Sequence, residues 1–278
     1  MLRLTYYEMV KTFLKKRTYL GFAVVLIIVP IYVIAMKLEG VRFLRMGMRS
    51  LQLDFILTGN PFNGWLVAHT LMNSLWVQIP VLISFVAGDQ LAGEATAGTY
   101  RLILIRPASR TRIFIAKYAT TVIYTILFVF FLGFLSAGLA VAFLGSGDLF
   151  VIGQGILVLP ESEVLSRFIV AYCFAAWGMI AVSSIALFFS SFVENAIGPI
   201  IATMGIVIVF TLVTVLPVES FSSVRPYLFT SYMNLWQKAF ADPIPWDEIR
   251  TGMAYLGGTS LAAALAAWAI FTQKDILS

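Results

Sequence analysis

Residues 118–147 read YATTVIYTILFVFFLGFLSAGLAVAFLGSG, a run from Tyr118 to Gly147 that holds no Asp, Glu, Lys or Arg. A helix needs about 20 mostly apolar residues to cross a hydrocarbon core of roughly 30 Å. A charge at the centre of such a helix costs roughly 2.5–3.5 kcal/mol on insertion scales. The run is therefore read as a transmembrane helix. Working outward from it, five further charge-free windows appear: Thr18–Met36, Phe55–Gly88, Phe168–Val193, Asn195–Val218 and Thr251–Gln273. All 19 basic and 14 acidic residues fall in the gaps between the six windows. The pattern predicts an all-α integral membrane protein, one transmembrane domain over 1–278, with six transmembrane helices at about 18–36, 65–88, 113–144, 168–191, 196–217 and 252–271.

Composition agrees. Hydrophobic residues make up 60% of the chain and charged residues 12%, against roughly 45–50% and 25% in soluble proteins. The net charge of +5 is scattered around membrane segments, which suits anionic lipid headgroups and argues against nucleic acid. Cys173 is the one cysteine, so no intramolecular disulfide forms. Lys15, Lys16 and Arg17 precede a long apolar run without a small-x-small cleavage pattern, so the first window reads as a retained span, not a signal peptide.

Orientation follows from the basic residues of the short loops. One side carries Arg3, Lys11, Lys15, Lys16, Arg17, Arg101, Arg106, Arg110, Arg112, Lys117 and Lys274. The other carries Lys37, Arg42, Arg45, Arg49, Arg167, Arg225, Lys238 and Arg250. The excess, and the dense cluster just before the first span, predict both termini on the cytoplasmic side of the cell membrane. In residues 2–16, Leu2, Tyr6, Met9, Val10, Phe13 and Leu14 alternate at helical spacing with Arg3, Glu8, Lys11 and Lys15. This predicts an N-terminal amphipathic interfacial helix in the headgroup layer. A second amphipathic helix is expected outside, between spans one and two. It places Leu38, Val41, Leu44, Met48, Leu51 and Phe55 on one face and Arg42, Arg45 and Arg49 on another, and ends near Gly59-Asn60-Pro61.

The second window is longer than one span requires, so its start is expected to be loop, with Trp65 anchoring the span and Pro80 bending it. Asn73, Ser74 and Gln78 are polar groups inside this span and must find partners. That turns them toward other helices or a wet cavity and makes them candidates for lining a translocation path. Between spans five and six, Pro226, Tyr227, Trp236, Pro243, Pro245 and Trp246 predict short helices at the extracytoplasmic interface.

The stretch from Gly88 to Lys117 reads GDQLAGEATAGTYRLILIRPASRTRIFIAK. On the cytoplasmic side it displays Leu102-Ile103-Leu104-Ile105 between Arg101 and Arg106, an apolar run that something must cover. Gly98 permits a sharp turn into a short helix, and Pro107 with Ser109 ends it and starts the next. A short helix held between two long membrane helices transmits force between the bundle and a soluble object.

At Glu94, Gly98-Thr99, Leu102, Leu104, Pro107, Ser109-Arg110 and Lys117 the sequence resembles the permease subunits of ATP-binding-cassette exporters, the ABC type-2 membrane family. The basic amphipathic N-terminus and the closing Phe271-Thr272-Gln273-Lys274-Asp275 fit the same plan. The family often has several acidic residues before its G-T pair, whereas here Glu94 stands alone. The resemblance implies a cytoplasmic coupling helix between spans two and three that docks into an ATPase. Its residues would be Glu94, Gly98, Thr99, Tyr100, Arg101, Leu102, Leu104, Arg106 and Arg110. A second cytoplasmic contact would come from Ser191, Glu194 and Asn195. It further implies a permease that is not itself an enzyme, two copies of a separate cytoplasmic ATPase that bind ATP and Mg, and a second permease half, identical or related.

The chain contains no G-x-x-x-x-G-K-[ST] phosphate loop, in keeping with an ATPase on another polypeptide and no cofactor bound by this chain. An intramembrane enzyme would need a nucleophile beside a base. His69 is the one histidine, Cys173 has no evident partner, and no H-E-x-x-H zinc motif or other metal site is present. An ATP-independent carrier or channel commonly places ionisable residues at mid-membrane; the six windows hold no Asp, Glu, Lys or Arg, which argues against an ion-coupled relay.

Overall fold

A computed structural model of the protein describes residues 1–50, 62–98, 109–152 and 156–274. The charge-free windows form long helices because a backbone in hydrocarbon must satisfy its own hydrogen bonds. In chain order the elements are α1 (Leu2–Leu14), α2 (Thr18–Ser50), α3 (Gly64–Ser74), α4 (Gln78–Thr96), α5 (Arg110–Leu144), the strands β1 (Leu149–Ile152) and β2 (Ile156–Leu159), α6 (Glu161–Phe192), α7 (Ile197–Val215) and α8 (Trp246–Gln273). Three 3₁₀ helices, Glu219–Phe221, Arg225–Tyr227 and Phe229–Phe240, lie between α7 and α8. Among the described residues five helices are long and apolar enough to cross a membrane: α2 over Thr18–Gly40, α5, α6, α7 and α8. The pair α3 and α4, bent by 60°, makes a sixth if it counts as one span. The molecule is thus a helical, multi-pass membrane protein.

Helix α6 is the axis of the bundle, packing against α4, α5, α7, α8 and the Phe229–Phe240 helix. In its most apolar window 67% of the residues are buried, against 17% for α7 at the periphery. The core runs through Val29, Leu71, Ile83, Phe128, Phe168 and Phe240. Near the β-hairpin, α3 comes so close to α5 that a Cβ on Gly64 would lie 2.5 Å from the Ala140 carbonyl, so only glycine fits there. Across α5, α6 and α8, the hydroxyls of Tyr118, Ser184 and Ser260 form a closed triangle at 2.8–3.2 Å. Such bonds tie spans together where water offers no alternative partner.

Several details differ from the sequence expectations. The separate amphipathic helix after span one is instead a continuation of α2, which runs unbroken to Ser50; no proline interrupts Met36–Ser50. Arg42 pairs with Glu39 at 3.2 Å, while the side chains of Arg45 and Arg49 and the Gly59-Asn60-Pro61 breaker lie outside the described residues. Span two is two helices, and the break falls at residues 75–77, upstream of Pro80. A proline ring clashes with the carbonyl four residues before it, at Trp76, and is accommodated in a first helical turn; Pro80 sits in the first turn of α4. Helix α8 begins at Trp246, well before the expected start at 252. The all-helical expectation also missed the hairpin, in which Leu149 opposes Leu159 and Phe150 opposes Val158 in antiparallel register.

Candidate functional site

One end of the bundle gathers α1, the C-terminal end of α4, the start of α5, the α6–α7 turn and the end of α8. There three helices are joined by charge: the middle of α1, the end of α4 and the start of α5. Lys117, on the first turns of α5, is 1% exposed. Its ammonium donates to Glu8 Oε2 of α1 at 2.9 Å, to the Gln90 carbonyl of α4 at 3.2 Å, and to Glu94 Oε1. An ammonium has three donors, and all three are used. Glu94, 3% exposed, accepts a further bond from Lys11 of α1 at 2.5 Å. One turn earlier on α4, Asp89 accepts from Lys15 at 2.6 Å and from Arg17 at 3.2 Å, both in the turn that joins α1 to α2. Gly93 makes room for this. A Cβ there would sit 2.2 Å from Asp89 Oδ1, so the carboxylate lies flat over the glycine.

Neutral groups complete the clasp. Gln90 Nε2 donates to Thr12 Oγ1 at 3.1 Å, and the Thr18 hydroxyl donates to the Thr12 carbonyl. Ser190 of α6 donates to the Gly88 carbonyl at 2.6 Å and accepts from the Leu91 and Ala92 amides at 3.2 and 2.8 Å. A buried polar network of this kind is rigid when every member is satisfied.

The clasp turns α1 inside out relative to a soluble helix. Glu8 and Thr12 are buried, while Leu2 (89% exposed), Leu14 (78% exposed), Tyr6 and Tyr7 point outward. The sequence placed the basic face of this helix among lipid headgroups. Lys11 and Lys15 instead reach inward to the carboxylates of Glu94 and Asp89 on α4, 83 and 74 residues away in the chain.

Of the predicted docking residues, Thr99, Tyr100, Arg101, Leu102, Leu104 and Arg106 lie outside the described residues. Their stems are described. Gly98, at φ +64°, ends α4 in the left-handed conformation that glycine favours, and Ser109 caps α5 by accepting from the Arg112 amide at 3.4 Å. Glu94 was expected at a partner surface, yet its carboxylate is buried between Lys11 and Lys117. Arg110 likewise turns inward and donates to the Thr272 and Lys274 carbonyls, each at 2.9 Å, where a cation suits a helix C-terminus. Glu194 and Asn195 are exposed, whereas Ser191 is buried and donates to the Phe188 carbonyl. Thr96 Oγ1 donates to the Glu194 carbonyl at 2.6 Å, so the α6–α7 turn sits directly beside the end of α4.

Asn73, Ser74 and Gln78 come together at the α3–α4 break. Asn73 Nδ2 donates to the His69 carbonyl at 3.1 Å and Ser74 Oγ to the Thr70 carbonyl at 2.9 Å. The Gln78 amide, with its nitrogen turned inward, donates to the Ser74 and Leu75 carbonyls at 2.9 and 3.2 Å. Because the Gln78 amide N–H bonds the Leu75 carbonyl at 3.1 Å, the Ser74 carbonyl loses its helical donor at the break, and the Gln78 side chain supplies one. Asn73 also accepts from Gln237 at 2.8 Å, a residue that sequence reasoning did not connect to it.

Sequence reasoning also missed Glu8, Lys11, Lys15, Arg17 and Asp89 as members of one site. A signal existed: Asp89 and Lys117 are the charges that bound the second and third windows on either side of the loop. No curated protein matches the chain in sequence. Residues 22–277 match the family described as "Protein of unknown function (DUF2705)", and with nearly all of the helical bundle inside that match the chain belongs to this family.

Proposed function

We propose that this protein is the membrane-spanning permease subunit of an ATP-binding-cassette exporter, seated in the cell membrane with both termini cytoplasmic. It is not an enzyme. ATP and Mg bind to two copies of a separate cytoplasmic ATPase, and a second permease half, identical or related, completes the transporter. The α3–α4 pair counts as one of six spans, α1 lies in the inner interface with its apolar face toward lipid, and the 3₁₀ helices and the hairpin face outward.

The observation that carries the reading is the clasp around the two stems of residues 99–108. Lys117 and Glu94 join the stem that leaves α4 to the stem that enters α5, and Glu8 and Lys11 lock both to α1. A push on the segment between them is thereby delivered to three helices at once. Thr96 sets the α6–α7 turn, with exposed Glu194 and Asn195, alongside as a second contact. On this reading Glu94 and Arg110 hold the base of the docking segment, and Leu102, Leu104 and Arg106 touch the ATPase. Closure of the two ATPases draws the two bases together and tilts the bundles as rigid bodies.

The test is co-purification from membranes. Leu104→Asp together with Arg106→Glu releases an ATPase that co-purifies with the unaltered protein, while membrane insertion and thermal stability are unchanged. Retention of the ATPase by the double variant contradicts the assignment.

A further inference from the structure

Between α5 and α6, in the half of the bundle nearest the β-hairpin, lies an apolar groove of about 520 Å³. Phe130 and Phe134 form one rail on α5, Leu165 and Ile169 the other on α6, and Gly138 and Ala142 continue the floor toward the hairpin. No charged side chain lines it. Its one hydroxyl, on Tyr172, is bonded to Ser136 at 2.8 Å. The rails face outward, with Phe134 82% exposed and Leu165 and Ile169 more than half exposed.

We propose that this groove is a binding site for a single acyl chain of a membrane lipid from the leaflet on the hairpin side. The proposal is independent of the transport reading. Three observations select the occupant. First, the groove runs from Phe130 to Ala142, and 12 residues at about 1.5 Å rise give roughly 18 Å, close to the ~15 Å half-thickness of the hydrocarbon core. Second, one turn of a helix with its side chains fills roughly 400–600 Å³, taking a diameter of 10–12 Å and a pitch of 5.4 Å. The groove therefore has room for about one turn of a partner helix, but it can follow an extended hydrocarbon chain over its whole length. Third, Trp65 lines the groove at the level where Gly64 meets Ala140, which sets an aromatic ring toward the hairpin end, as suits the level of the membrane interface. Gly138 keeps the floor open, since a Cβ there would meet no atom within 4 Å.

The test uses the full-length protein in phospholipid vesicles containing a phosphatidylcholine with a photoactivatable diazirine midway along one acyl chain. After irradiation, adducts are mapped by peptide mass spectrometry. Residues 130–142 and 165–172 carry about tenfold more adduct per residue than the exposed face of α7 at Ile201, Val209 and Leu212, a preference of about 1.4 kcal/mol. Gly138→Leu fills the groove and brings the yield down to that of α7. Phe134→Ala removes a rail without adding bulk and also lowers it. Equal labelling of groove and α7 in the unaltered protein overturns the proposal, as does labelling that neither variant changes. Disulfide-linked dimers formed through Gly138→Cys in a Cys173→Ser background overturn it too, since a second copy then covers the groove.

Discussion

Two polar regions among the described residues, the clasp and the α3–α4 break, are built in opposite ways. At the clasp, Glu8, Glu94 and Lys117 are buried and bound to one another across helices far apart in sequence, and buried Asp89 holds Lys15 and Arg17. At the α3–α4 break, Asn73, Ser74 and Gln78 are exposed and bond mostly to carbonyls within a turn of themselves. Removing one member of the clasp leaves a buried charge without its counter-charge. Removing one member of the break leaves a group that water or a neighbour can satisfy. The first region is therefore a rigid joint. The second is a surface whose polar groups are available to whatever passes or packs beside it.

The sharpest way to break this contrast is Lys117→Met. Glu8 and Glu94 then face each other without the ammonium, and loss of one partner from a buried ion pair costs about 3–5 kcal/mol. The measurement is unfolding in detergent, accompanied by faster tryptic cleavage at Lys11 and Lys15 as α1 comes away. Combining Lys117→Met with Glu8→Gln and Glu94→Gln restores most of the loss, because no uncompensated charge remains. Glu94→Gln alone has a smaller effect, about 1.5–3 kcal/mol for a hydrogen bond to a charged group, since Glu8 still holds Lys117. Gly93→Ala displaces the Asp89 carboxylate from Lys15 and Arg17 and costs about 1 kcal/mol, the low end of the overpacking range, because Asp89 can rotate away. Asn73→Ala changes stability by no more than ~0.5 kcal/mol, as surface substitutions generally do. A loss at Asn73 as large as that at Lys117 would erase the distinction between the two regions.

The spans were legible because insertion into hydrocarbon leaves a direct compositional trace: α2, α5, α6, α7 and α8 each overlap one charge-free window, though α2, α5, α6 and α8 run past its bounds into charged sequence. The stems that flank residues 99–108 were legible for local reasons: Gly98 and Ser109 act through their own backbone and side chain. The orientation of α1 was not. Its periodicity is plain in the sequence, but which face turns inward depends on Asp89 and Glu94, which periodicity cannot place. The break in span two was read one turn too late, because Pro80 marks the place but its clash acts on the carbonyl four residues earlier. The hairpin had a usable sign in LFVIGQGILVL, two β-branched runs around a Gly-Gln-Gly centre. It was passed over because that stretch lies between charge-free windows and was treated as a connection.

The account rests on the segment between Gly98 and Ser109 standing on the cytoplasmic side of the membrane, at the end where the clasp lies. The direct measurement is reaction of Arg106→Cys, in a Cys173→Ser background, with a membrane-impermeant maleimide in sealed vesicles of both orientations. The account predicts labelling in inside-out vesicles and none in right-side-out vesicles. Labelling in right-side-out vesicles would put the clasp outside the cell, where no ATP-driven partner exists, and would contradict it.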